Sequence, residues 1–195
     1  MTALSRLFRR LRGRGRGRID GIRALPDRRL LIETYIPALA QAQAQTQTQA
    51  GGRILWVGCR AYTRDDYPAL ARHGAEVWTT DIDPKAARWG QPGRHRTGDI
   101  CAIDQVFADQ TFDVVVCNGV LGFGADSPEM QDQAMAAMAR ILRPGGLLLL
   151  GWNTDKIDDP LTVPSAAYAP TPFAGQPPRV RFDAVTHVYD ALRRL

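Results

Sequence analysis

Apolar residues along this chain gather into short continuous runs rather than into one long periodic stretch. The clearest are Arg53-Ile-Leu-Trp-Val-Gly58, Val77-Trp-Thr-Thr-Asp81, Phe112-Asp-Val-Val-Val-Cys-Asn118 and Leu147-Leu-Leu-Leu150. Runs of this length, rich in Val, Ile and Leu and closed by Gly, Asp or Asn, predict strands buried on both faces. Helix signals fill the intervals. Asp65 to Gly74 reads as a helix, and Asp83 followed by Pro84 supplies an N-cap and a first-turn proline for a short helix to Trp89. A short strand is expected near His95. Ser127, Pro128 and Glu129 open a longer helix to Leu142 with Met130, Ala134, Met138 and Ile141 on one face, so those methionines read as core. Pro144-Gly145-Gly146 is expected to end that helix and turn the chain into Leu147–Leu150. Strand alternating with helix predicts an α/β domain: one doubly wound, mostly parallel Rossmann-like sheet with helices on both faces.

The flanks carry weaker patterns. Leu4, Leu7, Phe8 and Leu11 repeat at helical spacing among Arg6, Arg9, Arg10 and Arg12, and Arg12-Gly-Arg-Gly-Arg-Gly-Arg18 follows as a flexible arm. Arg28 to Ala40 predicts a helix with Leu30, Leu31, Tyr35 and Leu39 on one face, bent or ended at Pro37. Gln41 to Ala50 is a Gln/Ala/Thr connector. Asn153 to Pro178 is Pro-rich and reads as loop, and Val180–Phe182 with Thr186–Leu192 predicts a closing antiparallel hairpin. The organisation is therefore a basic extension over 1–27, a helix and linker over 28–50, and one domain over 51–195.

Composition adds boundaries to this picture. At 195 residues, 45% hydrophobic and 23% charged, the chain suits one globular domain with a real core. No apolar run reaches the roughly 18 residues that span a bilayer. The basic N-terminus lacks the apolar stretch of a secretory signal. Cys59, Cys101 and Cys117 fall in or beside predicted strands without metal-ligand spacing, so they read as buried thiols of a cytoplasmic protein, with no metal. The net charge of +5 is unevenly placed. Residues 1–31 hold ten Arg against Asp20 and Asp27, a net +8, and the remainder holds fifteen basic against eighteen acidic residues, a net −3. Residues 4–18 would suit an anionic membrane surface, making the protein peripheral to a membrane, or RNA phosphates. The plainer reading is an extension resting its apolar side on the domain or on a second subunit, and the oligomeric state is left open.

Ligands of open α/β sheets bind outside the carboxyl ends of the strands. Gly58, Asp81, Asp99 and Asn118 all fall at such ends, 23, 18 and 19 residues apart, each gap about one strand-helix unit. Gly58 permits close backbone approach, and Asp81 is a carboxylate placed to accept from both hydroxyls of a ribose. With Leu142-Arg-Pro-Gly-Gly146 ahead of the apolar run, this order resembles the class I S-adenosylmethionine-dependent methyltransferases from roughly Arg53 to Trp152. The resemblance implies S-adenosylmethionine as cofactor and methyl transfer to a small-molecule substrate. It also implies cofactor contacts from Gly58, from Asp81 and Ile82 at the ribose, from Asp99 and Ile100 at the adenine, and from Asn118 near the methionine and methyl group.

The chain departs from the family at its glycine motif. Trp56 stands where an acid is usual, and Gly58, Arg60 and Tyr62 stand where three glycines are usual. Arg60 is then expected to pair with the methionine carboxylate, and Tyr62 or Thr63 to replace a backbone contact. No catalytic group declares itself, since methyl transfer can run on proximity and orientation. His187 is a lone strand histidine, more naturally structural than a base for a hydroxyl substrate. Trp152 and Tyr168 are possible pocket walls. The competing readings are an RNA methyltransferase using the Arg/Gly arm, a methyltransferase-like scaffold without activity, and a nicotinamide oxidoreductase. The last is disfavoured by Arg60 in the glycine motif.

Overall fold

A computed structural model describes residues 17–44, 52–162 and 166–195; the expected helix over residues 4–11 and most of the Gln/Ala/Thr connector lie outside them. Helix α1 covers 17–23. Pro26–Leu30, Leu31–Tyr35 and Ile36–Ala44 run on as one helix, α2. Five strands then alternate with helices: β1 Arg53–Val57, α3 Asp66–Leu70, β2 Glu76–Asp81, β3 His95–Thr97, α4 Ile103–Val106, β4 Phe112–Asn118, α5 Pro128–Ile141 and β5 Leu142–Asn153. Three further strands follow, β6 Tyr168–Pro170, β7 Arg179–Arg181 and β8 His187–Arg194. The sheet order is β3-β2-β1-β4-β5-β8-β6, with β7 also paired to β8. Strands β1 to β5 are parallel, and β8 runs antiparallel to β5.

The alternation within each strand divides the core in two. Leu55, Val57, Val115, Cys117, Leu148 and Leu150 face α4 and α5, meeting Ile103, Met135, Met138 and Ile141. Ile54, Trp56, Val114, Val116, Leu147 and Leu149 face the other way, onto Leu31, Tyr35 and Leu39 of α2 and Leu70 of α3. Fully burying one such side chain contributes about 1.5–3 kcal/mol, so both faces need their helical cover. That is why the strands read as unbroken apolar runs. Ser127 accepts from the Met130 amide at 3.3 Å and Asp83 from the Lys85 amide at 2.9 Å, the two caps read from sequence.

Four expectations change. Helix α2 passes through Pro37 to Ala44; a wider π turn over Leu31–Tyr35 ends two residues before the proline, a local adjustment of the kind by which a helix carries such a residue. The Pro144-Gly145-Gly146 stretch is a bulge inside β5 rather than a turn ahead of it. Leu142 pairs with Phe112, Leu147 already pairs with Val114, and Gly145 takes φ +72° to absorb the extra residues. The loop after Asn153 contains β6, a three-residue edge strand that sequence patterning passed over because Pro170 ends it. Trp152 and Tyr168, read as possible pocket walls, are core: the Trp152 indole donates to Asp190 at 2.8 Å and the Tyr168 hydroxyl to the Met135 carbonyl at 3.0 Å.

Candidate functional site

The carboxyl ends of β1, β2 and β4 open onto a shared cleft, at the edge where open α/β sheets bind their ligands. All eight residues singled out for cofactor contact line it: Gly58, Arg60 and Tyr62 after β1, Asp81 and Ile82 after β2, Asp99 and Ile100 after β3, and Asn118 after β4. Among the described residues no cluster of His, Cys, Asp and Glu could hold a metal ion.

The β1 turn is built on Gly58, whose φ is +89° and where a Cβ would stand 3.0 Å from Val120 Cγ2. Its amide donates to the Thr80 carbonyl at 2.9 Å, and its carbonyl accepts from the indole of fully buried Trp56 at 3.0 Å. Trp56 therefore braces the turn from beneath, an indole doing so where the family usually has an acid. The next amide, Cys59, donates to Asp81 Oδ2 at 2.8 Å and ties the turn to the end of β2.

Asp81 is the most heavily engaged group in the cleft. Its Oδ2 accepts from Cys59 N and from Arg60 Nη1 at 2.7 Å, while Oδ1 accepts from the Asp83 amide at 2.9 Å. The carboxylate is buried and Arg60 is 47% exposed, so the arginine lies over it like a flap. Arg60, expected at a methionine carboxylate, pairs within the chain with Asp81, a buried anion at the same turn. Asp99 caps the short turn after β3, accepting from the Cys101 amide at 2.9 Å, with Ile100 buried beside it.

Sequence reasoning missed two arginines beside Tyr62, because they sit in segments read as a basic extension and as a helix with its linker. Arg23 of α1 donates to the Tyr62 carbonyl at 2.6 Å and pairs with buried Asp66 at 2.9 Å. Arg28 of α2 lies 4.7 Å above the Tyr62 ring. Burial pushes the Asp66 carboxyl up to about 6 and outweighs the attraction of Arg23. Phe123 and Val120 also line the cleft, Phe123 half exposed at its rim beside Ile82; the Gly-Val-Leu-Gly-Phe-Gly run after β4 was their only sequence signal.

His187 stands behind Asn118, outside the cleft lining, and is buried. Burial first, then the Arg28 cation, holds its imidazole down at about 3, so it stays neutral through the ordinary pH range. It does not face the cleft as a base for a bound substrate.

A family model described as a methyltransferase domain matches residues 56–150. Ubiquinone/menaquinone biosynthesis C-methyltransferases of Paraburkholderia phymatum and Bordetella avium are similar in sequence. The first is 36% identical over 92 residues, 44% of this chain and 36% of its own length. The second is 37% identical over 84 residues, 38% of this chain and 30% of its own. The chain thus spans about a third of the length of these curated relatives. Among solved structures, the N-methyltransferase NodS from Bradyrhizobium japonicum WM9 superposes with a TM-score of 0.58 at 20% identity, over 87% of this chain and 99% of that one. TrmN from Thermus thermophilus does so at 0.58 and 17% identity, over 82% and 49%. At those identities the likeness is one of fold.

Proposed function

We propose that this chain, whose residues 56–150 match a methyltransferase domain, binds S-adenosylmethionine in the cleft at the ends of β1, β2 and β4 and methylates a small-molecule acceptor. The observation carrying the proposal is Asp81, a buried carboxylate at the end of β2 that faces this cleft beside the bare backbone of Gly58. Bound there, the cofactor would supply an electrophilic methyl group on a sulfonium.

The residues fit such a ligand. Each carboxylate oxygen accepts about two hydrogen bonds. Asp81 Oδ1 takes one and so has room for a ribose hydroxyl; Oδ2 gains room for the second when Arg60 swings away. Gly58 lets the methionine end lie against the backbone, Ile82 and Ile100 offer apolar surface to an adenine, and Asp99 can accept from its amino group. Asn118, at the β4 end, would stand beside the methyl group. Orientation and water exclusion are then this chain's main contributions to rate. The ubiquinone/menaquinone C-methyltransferase relatives make a carbon atom one acceptor to assay.

Calorimetric titration of S-adenosylmethionine and S-adenosylhomocysteine tests the reading, with Asp81→Ala as control. Micromolar binding in the wild type, weakened at least tenfold in the variant, is the expected result. A folded wild-type protein that binds neither ligand would favour a methyltransferase-like scaffold.

A further inference from the structure

Two buried polar tips without partners meet at one place. Asn118 Oδ1 and His187 Nε2 both lack a hydrogen-bond partner, and a Cβ added to Gly151 would stand 2.4 Å from the first and 2.7 Å from the second. The tips are therefore no farther apart than those two distances combined, packed over Gly151, which has no side chain. Register explains the meeting: Asn118 pairs with Gly151 on one side of β5, and His187 pairs with Asn153 two residues on, so all share a face.

Following the protons decides what the tips do. Asp155 Oδ1 takes the Thr186 hydroxyl proton at 2.6 Å, so Thr186 Oγ1 is left to accept from Asn153 Nδ2 at 3.1 Å. That turns Asn153 Oδ1 toward His187 Nδ1, 3.2 Å away, which must carry the ring proton. His187 Nε2 is then left as an unprotonated acceptor close to the Asn118 tip over Gly151. At the far end, Asn118 Nδ2 and the Tyr189 hydroxyl lie 3.2 Å apart. An amide fills the same space in either of its two orientations. Only one leaves nothing unpaired: the Tyr189 hydroxyl donating to Asn118 Oδ1, and Asn118 Nδ2 donating to His187 Nε2. Leaving two buried groups unmatched would cost far more than this half-turn.

We propose that His187 is a positioning residue, whose Nε2 accepts from the Asn118 amide and closes a one-directional hydrogen-bond chain from Tyr189 through Asn118, His187, Asn153 and Thr186 to Asp155. The chain crosses β4, β5 and β8 and holds Asn118 at the cleft wall in one orientation. Its buried imidazole is neutral in ordinary buffers, so the acceptor is permanently available. Gly151 is required because any side chain there would stand between the two tips. The functional consequence rests on the methyltransferase reading, in which Asn118 meets the methionine end of the donor rather than its adenosine.

Two measurements test this. In protein labelled with [¹⁵N]histidine and [¹⁵N]asparagine, NMR should show His187 protonated on Nδ1, with a coupling across the hydrogen bond between Nε2 and Asn118 Nδ2. A proton on Nε2, or no coupling, overturns the chain without any variant or ligand. The second compares His187→Leu with His187→Gln, whose amide oxygen can reach the place of Nε2. The Leu variant should lose at least fivefold in affinity for S-adenosylhomocysteine with adenosine affinity unchanged, and Gln should restore it. Wild-type affinity in the Leu variant, or equal losses for both ligands, overturns the positioning role while leaving the donor site intact. Wild-type protein that binds neither ligand removes the donor site and the positioning role together, and the NMR still decides the chain.

Discussion

Asp81 accepts from two backbone amides and one guanidinium, and those three partners set what a ribose meets there. The amides belong to the folded turn and stay. Arg60 is half exposed, and an ion pair of that kind contributes roughly 0–1 kcal/mol, so a ligand displaces it at small cost. Arg60→Ala should therefore tighten adenosine up to about fivefold, since 1.4 kcal/mol is a factor of ten. The same change should weaken S-adenosylhomocysteine if the displaced guanidinium moves to the amino-acid carboxylate. Calorimetry with both ligands reads the two effects apart; weaker adenosine binding would show instead that Arg60 holds Asp81 in its working posture. The positions of Gly58, Asp81, Asp99 and Asn118 were legible because each ends a strand, and strand ends in such a sheet share one edge. The Arg60–Asp81 pair was not, because residues 21 apart meet only once β1 and β2 lie in register. Arg23 and Arg28 were hidden for a related reason: nothing in a basic segment says that two of its cations fold back onto Tyr62.

At the scale of elements, legibility followed burial. Strands β1, β2, β4 and β5 announce themselves because apolar side chains cover both faces. Strands β6 and β7, three residues each at the sheet's edge, carry no such run, and what holds β7 is charge. Arg179 joins Asp159 on the loop to Asp190 in β8, where a second Asp190 contact goes to the Trp152 indole. Asp190 is buried, with its side chain 3% exposed. Removing one partner of a buried pair strands the other. Arg179→Ala should thus cost about 2–4 kcal/mol, less than the usual full loss because Trp152 still donates to the carboxylate. The measurement is the urea midpoint at pH 7, with an unchanged slope if only β7 loosens. A loss below about 0.5 kcal/mol would mean that backbone pairing to β8 alone secures the strand. The bulge at Pro144-Gly145-Gly146 teaches the converse: the glycines were visible, but whether they turn the chain or kink a strand depends on Leu142 finding Phe112 across the sheet.

Over the whole molecule, α2 covers one face of the sheet, and its Arg28 acts on two buried titrating groups with opposite habits. Burial holds His187 down at about 3, so between about pH 6.5 and 3 the unfolded chain binds more protons there and stability falls as the pH is lowered. Burial lifts Asp66 to about 6, so between about pH 6 and 3.8 the folded chain binds more protons and stability rises as the pH is lowered. Across the shared window the two are worth about 2–3 kcal/mol each and oppose one another. Stability should therefore change little between pH 6.5 and 4. Below pH 4 the Asp66 contribution is complete while His187 goes on losing. The partly buried Asp159, held below the usual carboxylate range chiefly by its Arg179 hydrogen bond, then starts to protonate and adds to the decline. Urea midpoints measured from pH 3.5 to 7.5 check the balance, and each half of it can be removed. Asp66→Asn should leave His187 unopposed, so that stability declines from pH 6.5 downward. His187→Gln should leave Asp66 unopposed, so that stability rises on acidification to about pH 4. If both variants instead keep the wild-type profile, neither group is as deeply buried as its position in the fold requires.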